Sequence, residues 1–246
     1  MKNRSLIIIP ARSGSKRVKG KNTKLLGGKE LLLHSIEQCK KIKNVKVIVS
    51  TDSKEISNLS EANGIEAPFL RPKVLSTDIA SSRSIIIHAI SWFLDKNLAI
   101  PDMVALKPPT NPFIKEKSMN MMIKVLLNKK QNVNSCVSIC QARAHPFRLV
   151  GIDKNGKLEN GIIRLNNQNI NDFERSQDWP EVWEGSPAFR ITKTQYFKRE
   201  AINKNYFSDG KTYDHLNCIG YKISNVEATD IDDEDDFKIA ESMLGL

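Results

Sequence analysis

The stretch "IIIPARSGSKRVKGKNTK", Ile7 to Lys24, decides how the rest of the chain is read. It couples an apolar run, begun as "SLIII" at Ser5 and closed by Pro10, to a loop carrying Arg12, Lys16, Arg17, Lys19, Lys21 and Lys24. A short run of that kind suits a strand buried on both faces. A loop so rich in cations repels itself unless an anion sits within it. Phosphate fits: Gly14 and Gly20 let backbone N–H groups approach, Arg12 grips oxygens with its fork, and Lys21 adds a movable point charge. The loop is not a Walker A, because five residues separate the two glycines and Asn22 follows Lys21. Nor is it G-x-G-x-x-G. A lysine-rich surface turn is the competing reading.

Outward from this loop, strand and helix patterns alternate. "LLLHSIEQCKK" places Leu32, Ser35, Ile36 and Cys39 at helical spacing, and "VKVIVST" reads as a strand. "DSKEISNLSEANG" reads as a helix capped by Asp52 or Ser53 and ended at Gly64. A helix with Ile86, Ile90 and Phe93 on one face follows, then the strand "MVALK", the helix "KEKSMNMMIKVLLNKK" and the strand "SCVSICQA". This rhythm predicts an α/β fold with a doubly wound, mostly parallel sheet of the Rossmann-like kind, whose ligands collect beyond the carboxyl ends of the strands. The rhythm breaks near Arg143. "RLVGIDKNGKLENGIIRL" resembles a hairpin, and the polar, Trp-bearing segment up to Pro187 reads as an inserted arm at about 143–187 within one domain spanning 1–246. "AFRITKTQYF" and "YKISN" then read as strands, and "EDDFKIAESML" as a helix burying Phe237, Ile239, Ala240 and Met243.

Composition excludes several classes. With 246 residues, 40% hydrophobic and 27% charged, the chain has the make-up of a globular protein, without the ~18-residue apolar run of a membrane span or a signal-peptide core. A cytoplasmic protein with no membrane partner is expected. Four cysteines without C-x-x-C spacing point to reduced side chains, with Cys136, Ser138 and Cys140 on one strand face. The net charge of +10 permits a polyanionic partner, yet only 7% of residues are aromatic and no basic stripe interleaves with them, so nucleic acid is not the expected partner.

A second signal lies in "ATDIDDEDDF", Ala228 to Phe237. If "TDID" is extended, Asp230 and Asp232 point the same way, a pair of hard oxygen donors suited to Mg²⁺. An acidic helix start is the competing reading, and it accounts for part of Asp233 to Asp236. A cationic phosphate loop and a metal-binding carboxylate pair are together the parts that nucleotidyl transfer requires. Of the four histidines, His34 and His88 read as packing or surface residues, His215 is isolated, and His145 faces the cleft in one reading. No nucleophile elbow or Cys–His pairing is present.

The blocks "IPARSGSKRVKGKN", "VIVSTDSKEIS", "FLRPKVLSTDIASS" and "TDIDDEDDFKIAE" resemble, in order and over nearly the whole chain, the signature blocks of the CMP-sialic acid synthetases, or acylneuraminate cytidylyltransferases. The resemblance implies a nucleotidyltransferase fold that binds CTP with Mg²⁺ and lets the anomeric hydroxyl of an acidic keto sugar attack the α-phosphate. It assigns Ala11, Arg12, Ser13, Lys21, Asn22, Arg71, Ser81 and Ser82 to the nucleotide, with Arg12, Lys21 and Asp230 as catalytic residues. The metal falls to Asp230 and Asp232. It also implies a homodimer whose arm reaches the partner's site. On the sugar side the chain departs from the pattern. "LKPPTNP" replaces the usual "LQPTSP", with Pro108 at the glutamine position and Lys107 beside it, and "ERSQDWP" replaces "RQDLP", with Ser176 at the arginine position. "SP" at Ser186 and Pro187 replaces the usual "NG". Lys107, Arg148, Arg175 and Gln177 are the sugar-binding candidates. Other readings are a same-fold enzyme with another nucleotide or acceptor, a homologue that only binds nucleotide, and a basic nucleic-acid binder.

Overall fold

The computed structural model describes residues 5–77, 79–159 and 161–245. Six strands form the central sheet: β1 (Ser5–Pro10), β2 (Val45–Ser50), β3 (Met103–Leu106), β4 (Ser135–Gln141), β5 (Trp183–Lys193) and β6 (Cys218–Lys222). Their order across the sheet is β6-β4-β5-β3-β1-β2. β1 pairs in parallel with β2 on one side and β3 on the other, and β6 with β4; only β5 runs antiparallel, between β3 and β4. The strand order therefore diverges at β1, so that a crevice opens beyond its carboxyl end.

Alternation along β1 explains the two layers. Ile7 and Ile9 join Met103, Ala105, Cys136 and Ile191 under α1 (Leu31–Lys40), α2 (Lys54–Ala62) and α4 (Glu116–Leu127). Leu6 and Ile8 join Val104 and Leu106 against α3 (Ser82–Asp95) and α5 (Lys198–Ile202). Burying each of these aliphatic side chains contributes about 1.5–3 kcal/mol. A third cluster joins the ends of the chain. Val18 from the basic loop, Leu26 and Leu31 pack with Ile231 and with Phe237 and Ala240 of α6 (Glu234–Met243).

Some boundaries differ from the sequence reading. β5 begins at Trp183, so residues 183–187, counted with the insertion, are sheet. β6 ends at Lys222, leaving Ile223 to Asn225 outside it. In α6 only Phe237 and Ala240 are buried, whereas Ile239 is 56% exposed and Met243 38%: the helix lies on the surface and touches the core along a stripe three residues apart. Ser53, not Asp52, caps α2, its hydroxyl accepting from Ile56 N. All four cysteines are free thiols, and Cys136 and Cys140 are buried. No helix among the described residues is long and apolar enough to cross a membrane.

Candidate active site

The basic loop starts where β1 ends, and Ala11 N still donates to Ser50 O of β2, 3.0 Å away. The chain then folds back on itself. Ser13 donates from N and Oγ to the Asp52 carboxylate at 2.9 and 3.0 Å, and Asn22 Nδ2 donates to Arg12 O at 2.8 Å. Val18 anchors the middle of the loop in the third cluster. Gly20, at φ 63°, takes the left-handed conformation that swings the chain into the 3₁₀ turn Lys21–Thr23.

That turn carries Lys21 inward. Its ammonium donates to Ile231 O and Asp232 O, both at 2.8 Å, and stands 3.6 Å from Asp232 Oδ1; Arg17 Nη1 lies 3.1 Å from Asp232 Oδ2. Lys24 pairs with Glu234 and sits 4.6 Å from the centre of the Phe237 ring. Lys21 of the first loop and Asp232 of the tail, 211 positions apart, thus meet, held by apolar packing beneath and charge pairing above.

The aspartates are displayed by extended backbone. Ile231 N donates to Thr110 O at 2.8 Å and its side chain is fully buried, which turns Asp230 and Asp232 to the opposite side. Burial raises the Asp230 pKa and Asp232 adds to the rise, against a hydrogen bond from Thr110 and the charge of Lys21. Asp230 Oδ1 is buried without a hydrogen-bond partner. Such an oxygen fits a cation as its missing partner, and Mg²⁺ asks for one or two carboxylates alongside water and phosphate. Among the described residues no group of three or more His, Cys, Asp or Glu side chains is arranged to hold a metal. The neighbouring acids serve the helix: Asp233 caps α6 in a capping box with Asp236, which also accepts from Asp232 N.

Two cavities meet at this point. One of ≈ 510 Å³ is lined by Arg12, Lys16, Arg17, Lys21, Asn22, Thr110 and Asp232. The other, ≈ 270 Å³, is lined by Arg143, Glu184, Ser186, Asn225, Asp230 and Asp232. Asp232 borders both, so the cationic cavity adjoins a separate polar pocket. A groove of ≈ 450 Å³ near Ile100, Leu126 and Lys193 contains none of the expected site residues.

Other expected nucleotide residues stand around the rim. Arg71 is buried, with its N–H donating to Thr51 O at 2.6 Å and its Nη2 to Ser50 O at 3.1 Å. Burial pulls its pKa down to about 10, with Asp52 opposing and Arg12 adding to the fall. Ser81 caps α3, its hydroxyl accepting from Ser84 N, and Ser82 is the first residue of that helix; both are exposed and line neither cavity.

On the sugar side one expectation needs correcting. Lys107 does not face the cleft. It is fully buried, its ammonium donating to Ser35 Oγ at 2.6 Å, Asn111 O at 2.9 Å and Pro108 O at 3.2 Å. The reason is strand parity: Lys107 continues the alternation of Met103 and Ala105 toward α1, and its N–H still pairs with Ile8 O. Arg148 is exposed, 5.8 Å from the Trp179 ring, and lines a cavity of ≈ 360 Å³ with Arg143, His145 and Ser176. His145 bonds Pro180 O at 2.9 Å, which ties it into the arm. Arg175 forms a local, exposed pair with Asp178, and Gln177 is exposed between them; neither lines that cavity. The residues missed from sequence are Asp52, Thr110, Arg17 as an aspartate partner, and Arg143, which borders both the arm cavity and the pocket beside Asp230. Nothing local marks Arg143 except its place just past the carboxyl end of β4.

Comparison with known proteins gives the family. Residues 6–177 match the family described as cytidylyltransferase. The chain is 30% identical over 247 residues to the CMP-N,N'-diacetyllegionaminic acid synthase of Legionella pneumophila, covering 99% of this chain and 97% of that protein. It is also 30% identical to the N-acylneuraminate cytidylyltransferase of Escherichia coli O18:K1:H7, where 98% of this chain spans about half, 52%, of the relative. Among solved structures, CMP:2-keto-3-deoxy-manno-octonic acid synthetase complexed with CTP superposes with a TM-score of 0.68, 13% identity and 98% coverage of each chain, a likeness of fold alone. The chain belongs to the cytidylyltransferase family, in its CMP-sialic acid synthetase-like group.

Proposed function

We propose that the chain is a Mg²⁺-dependent cytidylyltransferase that activates an acidic keto sugar of the nonulosonic class with CTP. The observation that carries this reading is the meeting of Lys21 with Asp232 at the border between the cationic cavity and the pocket beside Asp230. CTP places its triphosphate among Arg12, Lys16, Arg17 and Lys21, which offset the charge of the leaving pyrophosphate. The sugar enters from the other pocket. As the anomeric hydroxyl gives up its proton to solvent, its oxygen forms the new bond to the α-phosphorus, the bond from that phosphorus to the bridging oxygen breaks, and pyrophosphate departs. Asp230 and Asp232 would hold Mg²⁺, which when bound withdraws charge from the phosphate oxygens. Arg143 and Arg148 supply cations for a sugar carboxylate.

The arm supports a homodimer. Leu149, Val150, Ile152, Leu158 and Ile162 are exposed on it, an apolar surface that a second copy covers. Free cysteines accord with action in the cytoplasm.

Pyrophosphate release, measured with each nucleoside triphosphate and Mg²⁺ against a panel of nonulosonic and 3-deoxy-octulosonic acids, tests the reading. Turnover is expected with CTP and a nonulosonic acid. No turnover with CTP and any sugar acid defeats it, and CTP binding without transfer points instead to a homologue that only binds nucleotide.

A further inference from the structure

Lys107 raises a question that the site does not answer. A fully buried ammonium carries a desolvation penalty that an apolar residue of similar size does not, and its acceptors here are a hydroxyl and two carbonyls, none of them an anion. Burial lowers its pKa to about 8. Leucine or methionine would pack there at less cost, so the cation has to be holding something.

What it holds is the turn from Pro108 to Asn111. The three N–H donors of the ammonium are used on Ser35 of α1 and on the carbonyls at both ends of that turn. The prolines at 108 and 109 provide no backbone donors of their own, and the remaining bond across the turn, Asn111 N to Pro108 O, is a long 3.4 Å. The turn in turn grips the tail. Asn111 Nδ2, buried, donates to Thr229 O at 3.0 Å, Thr110 O accepts from Ile231 N at 2.8 Å, and the Thr110 side chain bonds Asp230. Three successive residues, 229, 230 and 231, are thus located by two residues of one turn.

We propose that Lys107 is a positioning residue: by closing the 108–111 turn it fixes the backbone of 229–231, and with it the direction of the Asp230 and Asp232 carboxylates, without touching substrate. This rests on the proposed function only for what the aspartates hold; the mechanical coupling stands apart from it.

The test uses the full chain with Lys107→Met, which keeps an unbranched apolar stem one atom shorter and removes the three donors, and separately Asn111→Ala, which leaves the Lys107 acceptors in the backbone and removes the link to Thr229. Each variant is checked for fold by circular dichroism. The main readout is native-state hydrogen exchange, which needs neither metal nor turnover. The Ile231 amide is expected to exchange about 10-fold faster or more in both variants, with the amides of β2 and α4 unchanged. Mn²⁺ titration in the presence of CTP is the second readout, and metal affinity is expected to fall by about 10- to 100-fold, with metal-free CTP binding retained. An unchanged Ile231 amide in either folded variant overturns the proposal. Failure of both variants to fold also overturns it, because Lys107 is then a general support of the core. If the wild-type chain transfers CMP to no sugar acid, the functional reading falls while the exchange experiment still decides this one.

Discussion

The two sides of the cleft are built on different principles. On the nucleotide side, Lys21, Asn22, Arg71 and Ile231 are buried; Lys21, Arg71 and Ile231 are bonded to backbone from other elements of the chain, and Asn22 to Arg12 O across its own loop. On the arm side, Arg148, Arg175 and Gln177 are exposed, and the bonds that shape them, such as Arg175 to Asp178, span three residues. Long-range buried contacts fix a side chain before ligand arrives. Short-range exposed ones leave its final position to whatever binds. Lys21, Asn22 and Arg71 are therefore pre-organised, whereas Arg148, Arg175 and Gln177 are not.

The sharpest way to break this contrast is at Lys21. Lys21→Met removes the two bonds to the tail and a cation of the phosphate cavity together, and kcat is expected to fall by about 10²- to 10³-fold; steady-state pyrophosphate release measures it, and a change below tenfold would mean that the tail is held without this residue. Next in size is the packing beneath. Phe237→Ala is expected to cost about 3–4 kcal/mol in urea unfolding, because the ring is buried between loop and tail. A loss under 1 kcal/mol would show that the join is made by charge alone.

A smaller effect comes with pH. His88, packed against Phe69 at a ring separation of 4.6 Å and close to Arg71, has its pKa drawn from 6.5 down to about 4, by burial first and by Arg71 second. Between those values the unfolded chain binds the proton and the folded chain does not, so stability declines as pH falls from about 6.5 toward 4, by about 2 kcal/mol once solvent screening of the partly exposed ring is allowed for. Denaturant titrations at pH 7 and pH 4.5 measure the difference, and His88→Phe should remove this component; a variant with an undiminished pH slope contradicts the assignment. The smallest effect is expected in the arm. Arg175→Ala should change stability by no more than about 0.5 kcal/mol, its partner being exposed as well. Its KM for the sugar acid is expected to rise with the KM for CTP unchanged, and the reverse pattern would place the arm over the nucleotide.

The same contrast explains what could be read from sequence. The β1 loop and the tail were legible because hydrophobic alternation announces where a strand ends, and chemistry in such a sheet gathers at those ends. That Asp230 and Asp232 share a side followed from the same period of two, with Ile231 as the buried residue between them. Lys107 obeys that period as well, but a lysine after a strand reads as exposed unless the alternation is carried one residue further, through Met103 and Ala105. Asp52 is legible as a helix-cap candidate but not as the partner of Ser13, since that bond spans 39 positions. In the arm no period exists to follow, so Arg175 and Gln177 could be named only by resemblance, and Arg143 was passed over.

The lone antiparallel strand has one more effect. Because β5 runs back beside β4, Gln141 and Trp183 are paired neighbours, and everything from 142 to 182 leaves and re-enters the sheet at a single doorway. The entropy of closing such an excursion grows only slowly with its length. A longer, shorter or wholly foreign segment can therefore be spliced in at that doorway with the six strands left as they are. The pairing of the six strands thus leaves the length and composition of the arm free to vary.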